Sequence, residues 1–128
     1  MKRMLFVLLL LPVFAIASPL PSLMEIEKAI RSGNANALAT YFDANVEIDI
    51  MGEVDIYEKG EAKAVMAKFF QSHQPQDYSQ VHKVVSKGQG SQTTMGDLKC
   101  TGGTFRMVLY LKVVNGRYII QEIGLVRK

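Results

Sequence analysis

Cysteine, histidine and tryptophan are scarce in this sequence, and each scarcity excludes a class of protein. Of 128 residues, one is cysteine (Cys100), two are histidine and none is tryptophan. A single cysteine cannot form an intrachain disulfide, so we expect a buried, small apolar residue, with an intermolecular bridge or a reactive thiol as the alternatives. No Cys-x-x-Cys pair or His/Cys cluster has the spacing of zinc ligands, so neither a metal nor a cofactor is predicted.

A basic cluster and a long hydrophobic run are also missing. Lys2 and Arg3 are two of the 15 basic residues, and the others nearly balance the 12 acidic residues. Binding to nucleic acid or to an anionic membrane requires a clustered basic surface, so neither is indicated. The apolar run over residues 4–11 is shorter than the roughly 20 residues that span a bilayer.

The N-terminus instead has the order of a secretory signal peptide. A basic start precedes the short apolar run, and small residues at Ala15 and Ala17 follow it. We therefore predict cleavage after Ala17 and export to the periplasm or out of the cell, with a retained membrane anchor as the alternative. Residues 18–128 are then predicted to form one soluble domain, because roughly 110 residues suffice for a single core.

Helical periodicity predicts three helices in the first part of this domain. Apolar residues at helical spacing predict a helix that is capped by Ser22 and ended by Gly33. Asn34 is expected to cap a second, short helix that runs to Phe42. A third amphipathic helix is predicted over residues 60–73 and ends near His73.

Strict alternation of apolar and polar residues predicts the strands. A first hairpin is predicted over residues 46–50 and 54–58. Four longer strands are predicted at residues 78–87, 92–100, 104–114 and 117–127, and Asn115-Gly116 is a strong hairpin turn. Helices and strands that segregate in this way predict an α+β fold, with the helices on one face of a curved antiparallel sheet.

This element order, the segment MGDLKCTGGTFR at residues 95–106 and the Asn115-Gly116 hairpin resemble a known family. The family is an uncharacterised one of small exported bacterial proteins, a domain of unknown function in the nuclear transport factor 2-like superfamily. The resemblance implies a cone-shaped fold with an interior cavity, often dimeric, and names no activity. Superfamily relatives include isomerases, dehydratases, polyketide cyclases and binding-only domains, so the fold does not choose among them.

The two-residue turn at Asn115-Gly116 predicts which side chains line the cone. Directly opposite residues share a face, and uninterrupted pairing sets Glu122 opposite Leu109 as the only carboxylate on an apolar surface. Such a carboxylate has a raised pKa that suits acid-base chemistry; a solvated position or a salt bridge is the alternative. The predicted pocket-lining residues are Phe69, Phe105, Met107, Leu109, Tyr118 and Glu122.

The reverse face of the same two strands is too apolar for a fully solvated surface. We expect a second copy of the chain to cover it, with burial under another part of the same chain as the alternative. The predicted interface residues are Val108, Tyr110, Ile119 and Ile123.

The remaining polar residues indicate no site. A three-residue turn at residues 51–53 would keep the apolar residues of the first hairpin on one side and set Asp49 opposite Asp55. We expect solvated edge charges there, with a bound cation as the alternative. His73 is explained by the favourable position of a cation at a helix end, and His82 lies within a strand.

Three functional hypotheses follow. The first is a non-catalytic exported module that binds a small apolar ligand or a partner protein through its cavity or its sheet face. The second is an isomerase or lyase with Glu122 as general acid or base and Tyr57, Tyr78 or His82 as its polar partner. The third is a structural dimerisation domain. We favour the first, because no acid, base and electrophile are assembled.

Overall fold

The computed structural model describes residues 21–85 and 90–128, which contain three helices and six strands. The predicted signal peptide, residues 1–17, lies outside the described residues. No helix within them is long and apolar enough to cross a bilayer. The elements in chain order are α1 (Pro21–Ser32), α2 (Ala35–Ala39), β1 (Phe42–Ile50), β2 (Glu53–Glu58), α3 (Lys59–Ser72), β3 (Pro75–Val85), β4 (Ser91–Cys100), β5 (Gly103–Val114) and β6 (Arg117–Arg127).

The six strands form one sheet with the order β2-β1-β6-β5-β4-β3. All neighbouring strands are antiparallel except β1 and β6, which run parallel and so join the first strand to the last. Helix α1 packs against β3 and β6, and α3 packs against β1 and β2. The predicted α+β architecture is confirmed.

Local residues explain where the helices end. Gly33 has a positive φ of 66°, which allows the Asn34 amide to donate a 2.9 Å hydrogen bond back to the Ala29 carbonyl. The Asn34 side chain then accepts from the Ala37 amide at 3.0 Å and caps α2, as predicted. Ser22 was predicted to cap α1 but lies within its first turn, where its hydroxyl accepts a 3.0 Å hydrogen bond from the Tyr118 amide.

Two of the three β-hairpins with two-residue turns have left-handed backbone at both central residues. Asn115 and Gly116, with φ of 51° and 74°, confirm the predicted turn. Met51 and Gly52, with φ of 51° and 90°, form a second such turn, so the predicted three-residue turn is wrong.

The corrected turn changes the register of the first hairpin. Asp49 is level with Val54, and Asp55 is level with Ile48, so the two aspartates do not face each other. The Asp49 carboxylate accepts from the Gly52 amide at 2.9 Å. The prediction assumed that the apolar residues of both strands lie on one buried side of the hairpin. This assumption is wrong because β2 is an edge strand that leaves Val54 and Ile56 largely exposed.

The core lies between the helices and the sheet face toward them. Cys100 is part of it, as predicted, and burial raises the pKa of its thiol. The largest fully buried side chains come from all three helices and from four strands: Phe105, Ile26, Ile30, Leu38, Ile48, Met66, Leu98, Met107, Leu109, Leu111, Ile120 and Ile123.

Gly96 on β4 makes room for the aromatic ring of Tyr78 on β3. A Cβ atom added to Gly96 would overlap the Tyr78 phenol ring, whose side chain is 2% exposed. Both residues point into the core, so the ring has no space to move away. The absent side chain at Gly96 is therefore part of the packing.

We predict that Gly96→Ala destabilises the domain by roughly 1–3 kcal/mol, the usual effect of overpacking a core. The matched control is Gly60→Ala in α3, where no atom lies within 4 Å of the added methyl group. Alanine favours a helix over glycine by up to about 1 kcal/mol, so this control should be neutral or stabilising. Urea denaturation of the two variants checks the prediction, and equal effects would contradict it.

Candidate functional site

Strand β6 contains one residue more than β5 over the length on which they pair. Leu111 is level with Ile120, but the preceding residue Tyr110 is level with Glu122. Gln121 therefore has no partner on β5, and the pair contains a β-bulge. From this point onward every side chain of β6 points to the opposite face from the one that uninterrupted alternation predicts.

The bulge moves Glu122 out of the interior. Ile123, not Glu122, is level with Leu109, and Ile123 is only 1% exposed. The prediction that Glu122 lines a pocket opposite Leu109 is therefore wrong, and so is the assignment of Ile123 to the reverse face. The physical reason is that an unpaired carboxylate is costly to bury, whereas the extra residue allows Ile123 and Leu125 to be buried instead.

The other five predicted pocket residues lie in the core. Phe69 and Phe105 contact edge to face, with ring centroids 5.1 Å apart. The His73 ring packs on both, at 4.9 Å from Phe69 and 4.8 Å from Phe105. This end of the interior is filled by packed rings. The other three, all buried, are Met107, Leu109 and Tyr118.

A row of polar side chains crosses the other end of the interior. The Tyr118 hydroxyl donates a 2.5 Å hydrogen bond to the Gln92 side-chain oxygen, while the Tyr118 amide donates to Ser22. Gln92 and Thr94 are 4% and 2% exposed. Sequence reasoning missed both residues, although their alternation with Leu98 and Cys100 on β4 places them on the core face.

The Tyr78 phenol completes this polar row. Burial raises its pKa, and the nearby carboxylates of Glu27 and Asp97 raise it further, so the phenol stays neutral. Thr94 lies close enough to counteract part of that rise, yet its hydroxyl oxygen has no partner at hydrogen-bond geometry. The row therefore presents uncharged hydrogen-bonding groups inside an apolar core.

The sheet face turned away from the helices, here called the outer face, carries apolar residues that no element among the described residues covers. Tyr110 and Val126 are 44% and 57% exposed. Val108 and Ile119 are half-buried beside them on β5 and β6. Three of the four predicted interface residues thus lie on this face, and Val126 takes the place of Ile123.

Two glutamates lie side by side on the outer face. Glu47 on β1 is level with Glu122 on the parallel strand β6, and Tyr110 is level with Glu122 on the other side. Burial raises the pKa of the Glu122 carboxyl, and the charge and hydrogen bond of Glu47 raise it further. In the described part of the chain, no lysine or arginine forms an ion pair with either carboxylate.

Three basic residues at the outer face are paired with aspartates of the same chain. Arg106 and Lys128 both contact the Asp97 carboxylate, each at 2.7 Å, and these contacts hold the pKa of Asp97 below its usual range. Lys112 on β5 pairs with Asp43 on β1 at 2.8 Å. These charges are therefore already compensated within one copy of the chain.

The residues elsewhere assemble no chemical centre. His82 is exposed on β3, and within residues 21–85 and 90–128 no group of three or more His, Cys, Asp or Glu residues could hold a metal ion. Two open grooves, of about 730 Å³ and about 290 Å³, lie on the helical side near α2 and α3. Neither is lined by any of the six predicted pocket residues.

The fold defines the class of protein. In the nuclear transport factor 2-like fold, helices pack on one face of a curved sheet. Here the sheet has six strands, and its first and last strands pair in parallel. A crystal structure of an NTF2-like protein of unknown function from Cytophaga hutchinsonii superimposes with a TM-score of 0.59 at 11% identity, covering 88% of this chain and 95% of that one. The predicted cone-shaped, nuclear transport factor 2-like fold is confirmed.

The chain belongs to the family described as Domain of unknown function (DUF4783), whose model matches residues 23–125. A DUF4783 family protein from Bacteroides ovatus is 25% identical, with a TM-score of 0.76 over 81% of this chain and 93% of that one. Another from Bacteroides uniformis is also 25% identical, with a TM-score of 0.75 over 82% and 95%. No curated protein shows significant similarity to the chain.

We predict that Glu122→Gln stabilises the monomer at pH 8 by roughly 0.2–1 kcal/mol, the usual effect of removing opposed like charges in a sheet. Because the folded-state pKa of Glu122 is raised above 4.5, the wild-type stability falls as pH rises through the folded-state pKa. The advantage of the variant should therefore disappear below about pH 4, where both states of the wild type are protonated.

The control is Glu53→Gln, an exposed glutamate at the start of β2. Urea denaturation between pH 4 and pH 8 provides the free energy of unfolding of each protein. If Glu122→Gln increases the free energy of unfolding equally at every pH, the carboxyl pair is not the cause of the stabilisation. The same conclusion follows if Glu53→Gln gives an equal increase.

Proposed function

We propose that this chain is an exported, non-catalytic binding module whose outer face binds a second copy of the chain. The exposed apolar residues on that face are the observation that carries the proposal. Tyr110 and Val126 lie on the two central antiparallel strands, where a monomer ordinarily gains nothing from apolar side chains in water.

The size of the face supports a stable dimer. Six strands about 4.8 Å apart and about ten residues long cover roughly 30 Å by 30 Å, or on the order of 900 Å² for each copy. Specific interfaces bury about 800 Å² on each partner. A second copy is therefore large enough to cover the whole face, and it supplies the same apolar surface in return.

The position of Glu122 does not support the enzyme hypothesis. That hypothesis required Glu122 in the apolar interior with a polar partner, whereas the bulge places Glu122 on the outer face. Tyr57 is half-buried against the core at the β2 edge, Tyr78 is buried, and His82 is exposed on β3. These groups do not meet around one reacting atom, so a binding function is favoured.

Export remains the proposed location, based on the N-terminal sequence. The basic start, short apolar run and small residues before position 18 have the order that signal peptidase recognises. Mass spectrometry of the chain from its native host provides the test. A first residue at Ser18 supports export, and an intact N-terminus in the cytoplasmic fraction contradicts it.

We predict that Tyr110→Glu converts the dimer to a monomer. The variant adds a third carboxylate beside Glu47 and Glu122 at the centre of the face, so the association should weaken at least tenfold. Sedimentation equilibrium checks this, and circular dichroism verifies that the variant is folded.

The matched control is Met24→Glu, because Met24 is an apolar residue of α1 that is 66% exposed on the helical side. The control should sediment as the wild type does. A wild-type chain that stays monomeric at high micromolar concentration, or a Tyr110→Glu variant that dimerises as strongly as the control, would refute the outer-face interface.

A further inference from the structure

Two buried polar side-chain atoms have no hydrogen-bond partner among the residues that the structure describes. They are the side-chain nitrogen Nε2 of Gln92 and the hydroxyl oxygen Oγ1 of Thr94, and their residues are 96% and 98% buried. Buried polar groups in folded proteins are almost always paired, because a group that leaves water unpaired loses its hydrogen bonds. Two such atoms two residues apart on one strand therefore need an explanation.

Both side chains lie on the core side of β4 and have apolar neighbours on β5. Gln92 is level with Leu111 on β5, and Thr94 is level with Leu109. Valine would fit position 94 without leaving a polar atom unpaired there, and it would stabilise a purely structural core. Gln92 supplies the acceptor for the buried Tyr118 hydroxyl, but packing accounts neither for its unpaired NH₂ group nor for the Thr94 hydroxyl.

Neighbouring residues fix the Gln92 amide in one orientation. Its oxygen accepts the hydrogen bond from the Tyr118 hydroxyl, and the Tyr118 backbone amide is in turn held by Ser22. The amide NH₂ group is thereby left as a pair of donors directed away from Tyr118. Preorganised donors of this kind are typical of the few polar groups that orient a ligand in an apolar site.

The chemistry of the row defines what it can bind. Gln92 and Thr94 present an N–H and an O–H donor, and the neutral Tyr78 phenol lies beside Thr94. Of the side chains that the structure describes, none in the row is charged, so an ionised ligand would stay uncompensated among them. An oxygen atom with two lone pairs satisfies both unpaired donors at once.

We infer that Gln92 and Thr94 form a binding site for the carbonyl oxygen of a small, uncharged and otherwise apolar molecule. The carbonyl accepts one hydrogen bond from Nε2 of Gln92 and one from Oγ1 of Thr94, while its apolar part contacts Leu109 and Leu111. This site lies on the opposite side of the sheet from the outer face, so it does not depend on dimerisation.

The test compares cyclohexanone with cyclohexane, which differ by the carbonyl group. Nuclear magnetic resonance of the ¹⁵N-labelled protein follows the side-chain NH₂ signals of Gln92 during each titration. Cyclohexanone is expected to shift these signals saturably, and cyclohexane is expected to leave them in place. Thr94→Val should weaken cyclohexanone binding at least tenfold, because it removes one donor and preserves the shape.

The matched control is Thr93→Val on the outward side of the same strand, which should bind as the wild type does. Thr94→Val should also melt at a higher temperature than the wild type, since it loses an unpaired hydroxyl. If Thr94→Val fails to fold, Gln92→Leu is used in its place, and its binding is followed through the backbone amide signals of Leu109 and Leu111. The inference is overturned if cyclohexanone gives no saturable shift. It is also overturned if Thr94→Val or Gln92→Leu binds cyclohexanone as tightly as Thr93→Val does. A long-lived water as the sole molecule in contact with the Gln92 side chain would overturn it as well.

Discussion

The single extra residue of β6, Gln121, is the constraint on which both faces of the sheet depend. Before it, Tyr118 and Ile120 point into the core, and after it Ile123 and Leu125 do. A β-strand alternates with a period of two, so only an inserted residue can bury both pairs. The energetic gain is the burial of two large aliphatic side chains and the removal of a carboxylate from the interior.

The bulge produces two surfaces with different chemistry. The interior contains no carboxylate from β6, and its polar groups include the uncharged side chains of Tyr118, Gln92, Thr94 and Tyr78. The outer face gains Glu122 beside Glu47, within an apolar surface that is large enough for a second copy. We propose binding on both sides of the sheet, because neither surface, as far as the structure describes it, gathers the acid, base and electrophile of an enzyme.

Local chemistry made most of the fold predictable, and long-range packing decided the rest. Gly33 and Asn115-Gly116 have backbone that few other residues adopt, so their positions in the sequence fix a helix end and a turn. The assumption of strict alternation gave the wrong faces for the second half of β6. The sequence does contain a signal, because the odd spacing between Ile120 and Ile123 does not fit a regular strand with both residues on one face. The room that Gly96 leaves for Tyr78 and the contact of Ser22 with Tyr118 depend on residues distant in the chain, which local patterns do not reveal.

Deletion of one residue at a time from β6 tests the role of the bulge most directly. Deleting Gln121 should restore regular alternation while keeping Ile120 and Ile123 buried and Glu122 outside. Deleting Ile119 should remove the bulge by placing Gln121 in the core and Ile120 outside, at a loss of roughly 2–5 kcal/mol. Urea denaturation is expected to find the Gln121 deletion folded and clearly more stable than the Ile119 deletion, and equal loss in both would contradict the account.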